Sequence, residues 1–393
     1  MTAKARLGLE AERAYAALRK WIFDDALPFW STVGRDRPGF GFVEHLDLAA
    51  RPADVPYKRV RVQARQIFVF SCAHMLGWPG ALEAATDGHD FLTRHARRAD
   101  GAWVRLLGRD GDVLDPTADL YDLAFVVFAL AWYARATGSA QALDQARGTL
   151  AWIGRNMTSP AGGFHEAVPV PPQPRRQNPH MHLLEAVLAL FVTTRDAALL
   201  AIADALVALF RTRFFDPGTG SLGEFFTDDW QWAPGAAGTH VEPGHHYEWV
   251  WLLGEYQRLS GKTVEPERSA LHAFANRWGC DPKTGLVFDV VDRSGVVRDG
   301  SARVWPQTEA IKAHLAMAEQ GRAGEGAAIA RIVENLLERF IAGNTAGTWT
   351  EHLSAEGAAK GDRIPASTLY HIVLAFSELE RIFGETTRAP ERA

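Results

Sequence analysis

The sequence predicts an all-α fold, an (α/α)6 barrel of six inner and six outer helices with short hairpin loops at one end. Two interleaved series of segments and the character of the helices predict it. Six strongly apolar helical stretches begin at Arg65, Asp122, Glu185, Glu248, Glu309 and His371, at spacings of 57, 63, 63, 61 and 62 residues. Short glycine-led segments begin at Gly39, Gly101, Gly162, Gly220, Gly285 and Gly347, at spacings of 62, 61, 58, 65 and 62. A period of this length is the mark of a repeat architecture, in which each unit covers its neighbour's apolar face.

Taken in order, the N-terminal stretch MTAKARLGLEAERAYAALRKWIFDD is charged and amphipathic. It lacks the continuous apolar region of a secretion signal and supplies the outer helix that closes the ring. Each unit then runs as apolar helix, amphipathic helix, hairpin loop. DLAFVVFALAWYARATG, from Asp122, is apolar nearly all round and must be covered on every side. AQALDQARGTLAWIGRNM, after it, carries its apolar residues on one stripe, as an outer helix does. GAWVRLLGRDGDVLD and GLVFDVVDRSG place Gly-Asp and Ser-Gly turns among β-prone residues, which reads as tight hairpins. Because every hairpin precedes an inner helix, the hairpins and the inner-helix N-termini share one end. A flat helical solenoid with the same repeat is the alternative, and it leaves the inner helices less covered. The expected organisation is a single barrel domain over 1–393, with 385–393 a disordered tail.

The net charge of −5 is accompanied by no basic face, so nucleic acid is not an expected partner. No membrane-spanning run of about 18 apolar residues stands out, and a cytoplasmic monomer or homodimer is expected. Two cysteines, Cys72 and Cys280, form no disulfide or metal pattern. Thirteen tryptophans serve core filling, sugar stacking or both.

The inner-helix mouths concentrate the chemistry. They read KRVRVQARQ, DPTADLYD, QNPHMHLLE, EPGHHYE, RVWPQTE and PASTLYH. Asp119, Asp122 and Glu309 suit either helix capping or a ligand role. Histidines at three mouths of one ring point to a shared site. A zinc site is not expected: His180 and His182, two apart, diverge on a helix, and no HExxH pair is present. A glycosidase with two carboxylates across one bond remains open, but it leaves the histidines unexplained, whereas histidine suits reversible proton transfer near neutral pH. A carbohydrate-binding scaffold is the non-enzymatic alternative.

In KRVRVQARQIFVFS, QNPHMHLLEA, PGHHYEW, WPQTEA and LYH the chain resembles the N-acylglucosamine 2-epimerase superfamily, which includes cellobiose 2-epimerases and mannose isomerases. The resemblance implies the (α/α)6 barrel and an intramolecular isomerase or epimerase acting on a small-molecule sugar, with no cofactor and no metal. It implies catalytic roles for His245 and His371, with Glu248 polarising His245. Arg65 is then a contact to the sugar's O1/O2 region, Asn178 and His182 are substrate-binding, Trp305 is a stacking wall and Glu309 joins the substrate-binding set. His180 and His246 have no assigned counterpart and are expected only to vary the pocket. The mouth motifs look closer to the mannose-isomerase side, implying aldose–ketose interconversion of a free or 6-phosphorylated sugar, with 2-epimerisation as the alternative.

Overall fold

Helices that are apolar nearly all round need cover on every side, and here they obtain it by closing into a ring. The computed structural model describes residues 3–37, 39–172 and 174–384, so the tail expected over 385–393 lies outside the described residues. The six inner helices are Val60–Met75, Leu120–Thr137, Asn178–Thr194, Pro243–Ser260, Val304–Glu319 and Thr368–Phe383. Each packs against the next, and the sixth packs back on the first. That closing contact decides for a barrel over a linear solenoid. Five outer helices follow their inner partners: Ala81–His95, Ala140–Asn156, Ala198–Leu209, Glu265–Trp278 and Glu325–Asn335. The N-terminal helix Ala3–Trp21 packs beside the sixth inner helix and the Glu325–Asn335 helix, completing the outer ring.

The second inner helix, Leu120–Thr137, is long and apolar enough by composition to cross a membrane, which the sequence reading did not credit. Here its apolar surface is spent on packing, with 72% of the segment buried inside the barrel. The inner helices also start earlier than their apolar runs suggest. Arg65, Glu185, Glu248 and Glu309 therefore lie more than a turn inside their helices rather than at the mouths.

The glycine-led segments do more than form local hairpins. The strand just before each inner helix pairs, antiparallel, with a strand of another unit's loop. Tyr57–Arg59 pairs with Leu106–Gly108, and Ala118–Asp119 with Ala167–Val168. Arg175–Arg176 pairs with Phe225–Phe226, and His240–Val241 with Val290–Asp292. Ala302–Arg303 pairs with His352–Leu353. The circle closes where His45–Leu46 pairs with Ile364–Pro365, joining the first loop to the last. Six short pairings thus lace the loops into one rim.

A second device pins each loop to the helix beneath it. At the third or fourth residue of four inner helices, a buried side chain accepts a loop N–H. Gln63 accepts from Phe42 at 2.8 Å, His180 Nε2 from Phe164 at 3.0 Å, His246 Nε2 from Leu222 at 3.0 Å, and Gln307 from Val287 at 2.9 Å. The two glutamines also donate back to the Phe42 and Val287 carbonyls. Burial, first of all, pushes both His180 and His246 down to about 3, so both rings are neutral acceptors. The expectation that these two histidines vary the pocket is therefore corrected: they face loop backbone.

Deleting such an acceptor strands a buried N–H, at a cost of roughly 1–3 kcal/mol. His246→Ala is expected to lose about that much in urea unfolding, and His246→Gln to recover most of it, since glutamine fills the same place in two other units. A His246→Gln variant no more stable than His246→Ala would remove this account of the loops.

Candidate active site

The rim gathers the titratable side chains at one end of the ring. His245 is on the first turn of the fourth inner helix, His371 on the first turn of the sixth, and Trp305 at the start of the fifth, between them. The Trp305 ring centre lies 5.0 Å from that of His245 and 5.6 Å from that of His371. Two histidines 126 positions apart in the chain thus touch one indole. Gly244 permits this packing, because a Cβ there would sit 2.6 Å from the Trp305 ring.

His245 Nδ1 is 2.9 Å from Glu224 Oε1, and its Nε2 is 3.1 Å from the Asn178 amide. Burial opposes a charge on this ring, but Glu224 and then Glu242 outweigh it and raise the pKa to about 9. As placed, Asn178 offers an N–H to a neutral ring, while its own Oδ1 is buried without a partner. Amide orientation follows from the hydrogen-bond network, and turned over, that oxygen accepts from the imidazolium. The partner of His245 is therefore Glu224, contributed by a loop. The expectation that Glu248 polarises it is corrected: both Glu248 oxygens lack a hydrogen-bond partner. Burial first, with the like charge of Glu309, holds the Glu248 carboxyl well above the usual carboxylate range.

His371 Nδ1 is 2.8 Å from Glu309 Oε1, and the other Glu309 oxygen is 2.6 Å from Lys312 Nζ. Glu309 is fully buried and directed at these two groups, so its expected substrate contact is corrected to the positioning of His371. Burial pushes Glu309 up and the Lys312 ammonium pulls it back. Burial and the cations of Arg65 and Lys312 hold His371 well below the usual imidazole range. Lys312 itself stays charged despite burial, held up by Glu309, Glu248 and Glu185.

Behind this pair lies a third unit. His182 Nδ1 is 2.9 Å from Glu185 Oε2, and Tyr370 donates its hydroxyl to the same carboxylate at 2.6 and 2.7 Å. Arg65 donates to the Tyr121 hydroxyl at 2.7 Å and lies 4.1 Å from the centre of the Phe125 ring. Its Nε is buried without a partner, and among the described residues no carboxylate pairs with it. Asp119 caps the second inner helix by accepting from the Asp122 N–H, and Asp122 binds Arg61 at 3.0 Å, so neither is directed at the site.

Donor sets do form across helices, as His182–Glu185–Glu248 and Glu248–Glu309–His371, which a search along single helices could not reveal. Lys312 lies 2.6 Å from one of these carboxylates and opposes a second cation there. A cavity of about 670 Å³ opens at the far end of the ring, lined by Trp132, Trp251, Arg195 and Arg258, and meets the polar cluster only at Glu185. None of the paired histidines lines it.

Of the residues expected from sequence, the structure brings His245, His371, Trp305 and Asn178 together at the rim, with Arg65 and His182 just inside. Glu224, Lys312, Tyr121 and Tyr370 were missed, and Glu185, read at the third mouth, was given no role. Lys312 carried a signal, being a lysine one turn after a glutamate in an otherwise apolar inner helix. Glu224 carried none, since its loop says nothing of which histidine it meets.

Comparison with known proteins agrees with this architecture. The chain is 34% identical over 384 residues to a mannose-6-phosphate isomerase of Rhizobium meliloti (strain 1021), covering 95% of this chain and 98% of that protein. It is 29% identical to a D-mannose isomerase of Thermobifida fusca, covering 78% and 80%. The cellobiose 2-epimerase of Spirochaeta thermophila DSM 6192 superposes with a TM-score of 0.84 at 26% identity, over 95% of this chain and 97% of that one. The family model for N-acylglucosamine 2-epimerase (GlcNAc 2-epimerase) matches residues 41–375, and the chain belongs to that family of carbohydrate epimerases and isomerases.

Proposed function

We propose that this enzyme interconverts an unphosphorylated mannose-type aldose and its 2-ketose by proton transfer through a cis-enediolate. The observation that carries the reading is the histidine pair on Trp305, where carboxylates around one ring push its pKa up and burial with two cations pushes the other down. Titratable groups whose environments push their pKa values apart make an acid and a base available at one pH.

In this reading His371, its Nδ1–H donated to Glu309, presents Nε2 as the base. It takes the proton from carbon 2. The C–H electron pair becomes the C1=C2 bond, and the carbonyl π pair moves onto O1. Arg65, paired with no carboxylate among the described residues, stabilises that oxyanion. A proton passes from O2 to O1, and return of the His371 proton to carbon 1 leaves the carbonyl at carbon 2. His245, as imidazolium oriented by Asn178, gives a proton to the ring oxygen as the C1–O5 bond breaks, and takes back the proton of the O1 hydroxyl as the C1=O1 bond forms, so the pyranose opens with His245 again an imidazolium. Trp305 offers a wall for the sugar. The relatives named for mannose substrates support isomerisation. A second reading, 2-epimerisation, is favoured by His245 lying on a different helix from His371, where it can deliver a proton to the opposite face of carbon 2.

The choice of an unphosphorylated sugar rests on the rim arginines. Arg59 pairs with Glu44, Arg61 with Asp122, and Arg303 with Asp289 and Glu242. A phosphate would have to displace a carboxylate from each.

Incubation with free and 6-phosphorylated mannose, glucose and fructose in D2O, followed by NMR, tests the reading. Fructose from mannose is expected, with kcat/KM higher for the free sugar. A preference for the phosphorylated sugar would overturn the substrate choice, and 2-epimer as the main product would favour the second reading. His245→Ala and His371→Ala are each expected to lower turnover at least ~10²-fold while remaining folded. Glu248→Gln, at a side chain whose oxygens make no hydrogen bond, should cost less than either.

The pH profile follows from the same pair. The base must be neutral, so activity rises below the usual imidazole range. The acid must be protonated, so kcat/KM should fall as pH rises through about 9. Glu224→Gln removes the first charge that raises His245, and the alkaline limb should move to lower pH. A limb unmoved in that variant would assign it to another group.

A further inference from the structure

A second histidine cluster lies away from the rim. His314 is ten residues along the fifth inner helix from Val304, about 15 Å below its mouth at 1.5 Å per residue. It meets His272 from the outer helix Glu265–Trp278 and Glu325, the first residue of the outer helix Glu325–Asn335. All three are buried. His272 Nε2 lies 3.4 Å from His314 Nδ1 and 3.7 Å from Glu325 Oε2, and His314 Nδ1 contacts the same Glu325 oxygen. Three donor atoms from three helices therefore converge on one point.

We infer that His272, His314 and Glu325 form a divalent transition-metal site, with zinc its fitting occupant, which clamps two outer helices to one inner helix independently of the sugar site. Two imidazoles and a carboxylate are a zinc donor set, and zinc bonds of about 2.0–2.1 Å in a tetrahedron put donors about 3.3–3.4 Å apart, close to the two His272 separations, while the short His314–Glu325 contact has to open to admit the ion. The proton count argues the same way. His314 needs its Nδ1–H to reach Glu325, which leaves His272 Nε2 facing an N–H. Moved to Nδ1, the His272 proton faces Arg322 Nη1 at 3.3 Å and the Asn276 amide nitrogen at 3.1 Å. With the Asn276 amide as placed, either ring nitrogen of His272 thus meets a donor, whereas a cation accepts all three converging lone pairs at once.

Metal-bound histidine hands its other N–H to an acceptor. Asn276 supplies one if its amide turns over. Tyr247, now 2.8 Å from Asn276 Oδ1, then accepts from the amide nitrogen and donates to Cys280 Sγ at 3.1 Å. Arg322 Nε also lies 3.6 Å from Glu325 Oε1, and with its side chain 45% exposed it can turn outward as a metal takes over that carboxylate's charge.

The full-length protein should be stripped with a chelator, given equimolar zinc, desalted and analysed for bound metal. One zinc per chain is expected, with a higher melting temperature than the stripped protein. Cobalt in its place should give the visible absorption of a tetrahedral nitrogen–oxygen site. His272→Ala and His314→Ala should each weaken zinc binding at least about 100-fold, at or beyond the upper end for disturbing a metal's supporting contacts. His245→Ala and His371→Ala, which alter the rim donor sets, should keep the zinc. Failure of the wild-type protein to retain zinc would overturn the proposal, whatever the folding of the variants, and so would unchanged retention by folded His272→Ala. Because the readout is bound metal, it stands or falls apart from the sugar reaction.

Discussion

One buried ammonium sets the arrangement of the whole site. Lys312 has no exposed surface and stands among Glu309, Glu248 and Glu185 in the middle of the ring. Burying an ion costs several kcal/mol even after relaxation, and removing its partner leaves an uncompensated charge worth roughly 3–5 kcal/mol. The lysine is therefore affordable only with carboxylates around it, and they in turn need it. Glu309 meets Lys312 with one oxygen and His371 with the other, so the ammonium fixes the carboxylate that fixes the base. Glu185 ties His182 and Tyr370 into the same group, and burial with the like charge of Glu309 pushes Glu248, the third acid, upward.

The two histidines then differ for a reason that can be traced to geometry. Both give Nδ1 to a glutamate. His371 also faces the cations Arg65 and Lys312, while His245 faces Glu224 and Glu242. Burial lowers both rings; at His371 the two cations add to it, and at His245 Glu224 and Glu242 reverse it, so identical side chains with the same type of hydrogen-bond partner are driven in opposite directions. Arg65 takes part twice in this scheme, depressing His371 and awaiting an oxyanion with a cation no carboxylate has claimed.

How much of this was legible follows from the range of each interaction. The ring was readable because helix periodicity and spacing are local properties repeated six times. The histidine pair was readable through resemblance, and the inner-helix starts located it at one end. Partner choice was not. Glu248 is one helical turn from His245 and invited pairing, yet helix geometry directs it inward, and the acceptor comes from Glu224, 21 positions earlier on a laced loop. Similarly, His246 and Gln307 share a role at matching places in their repeats, but only the loop backbone they meet reveals it. Glu309 looked equally like a cap, a ligand or a support, and its full burial decides among them.

The pairing of His45–Leu46 with Ile364–Pro365 has a consequence for how the molecule is made. The N-terminal helix also docks against Thr368–Phe383, the final inner helix. Both contacts join residues more than three hundred positions apart, so the partners of the first loop and the N-terminal helix are made long after them. Until then five inner helices stand as an open crescent with apolar edges, the kind of surface that invites aggregation and chaperone capture. The ring closes, in effect, with the fastening of a clasp.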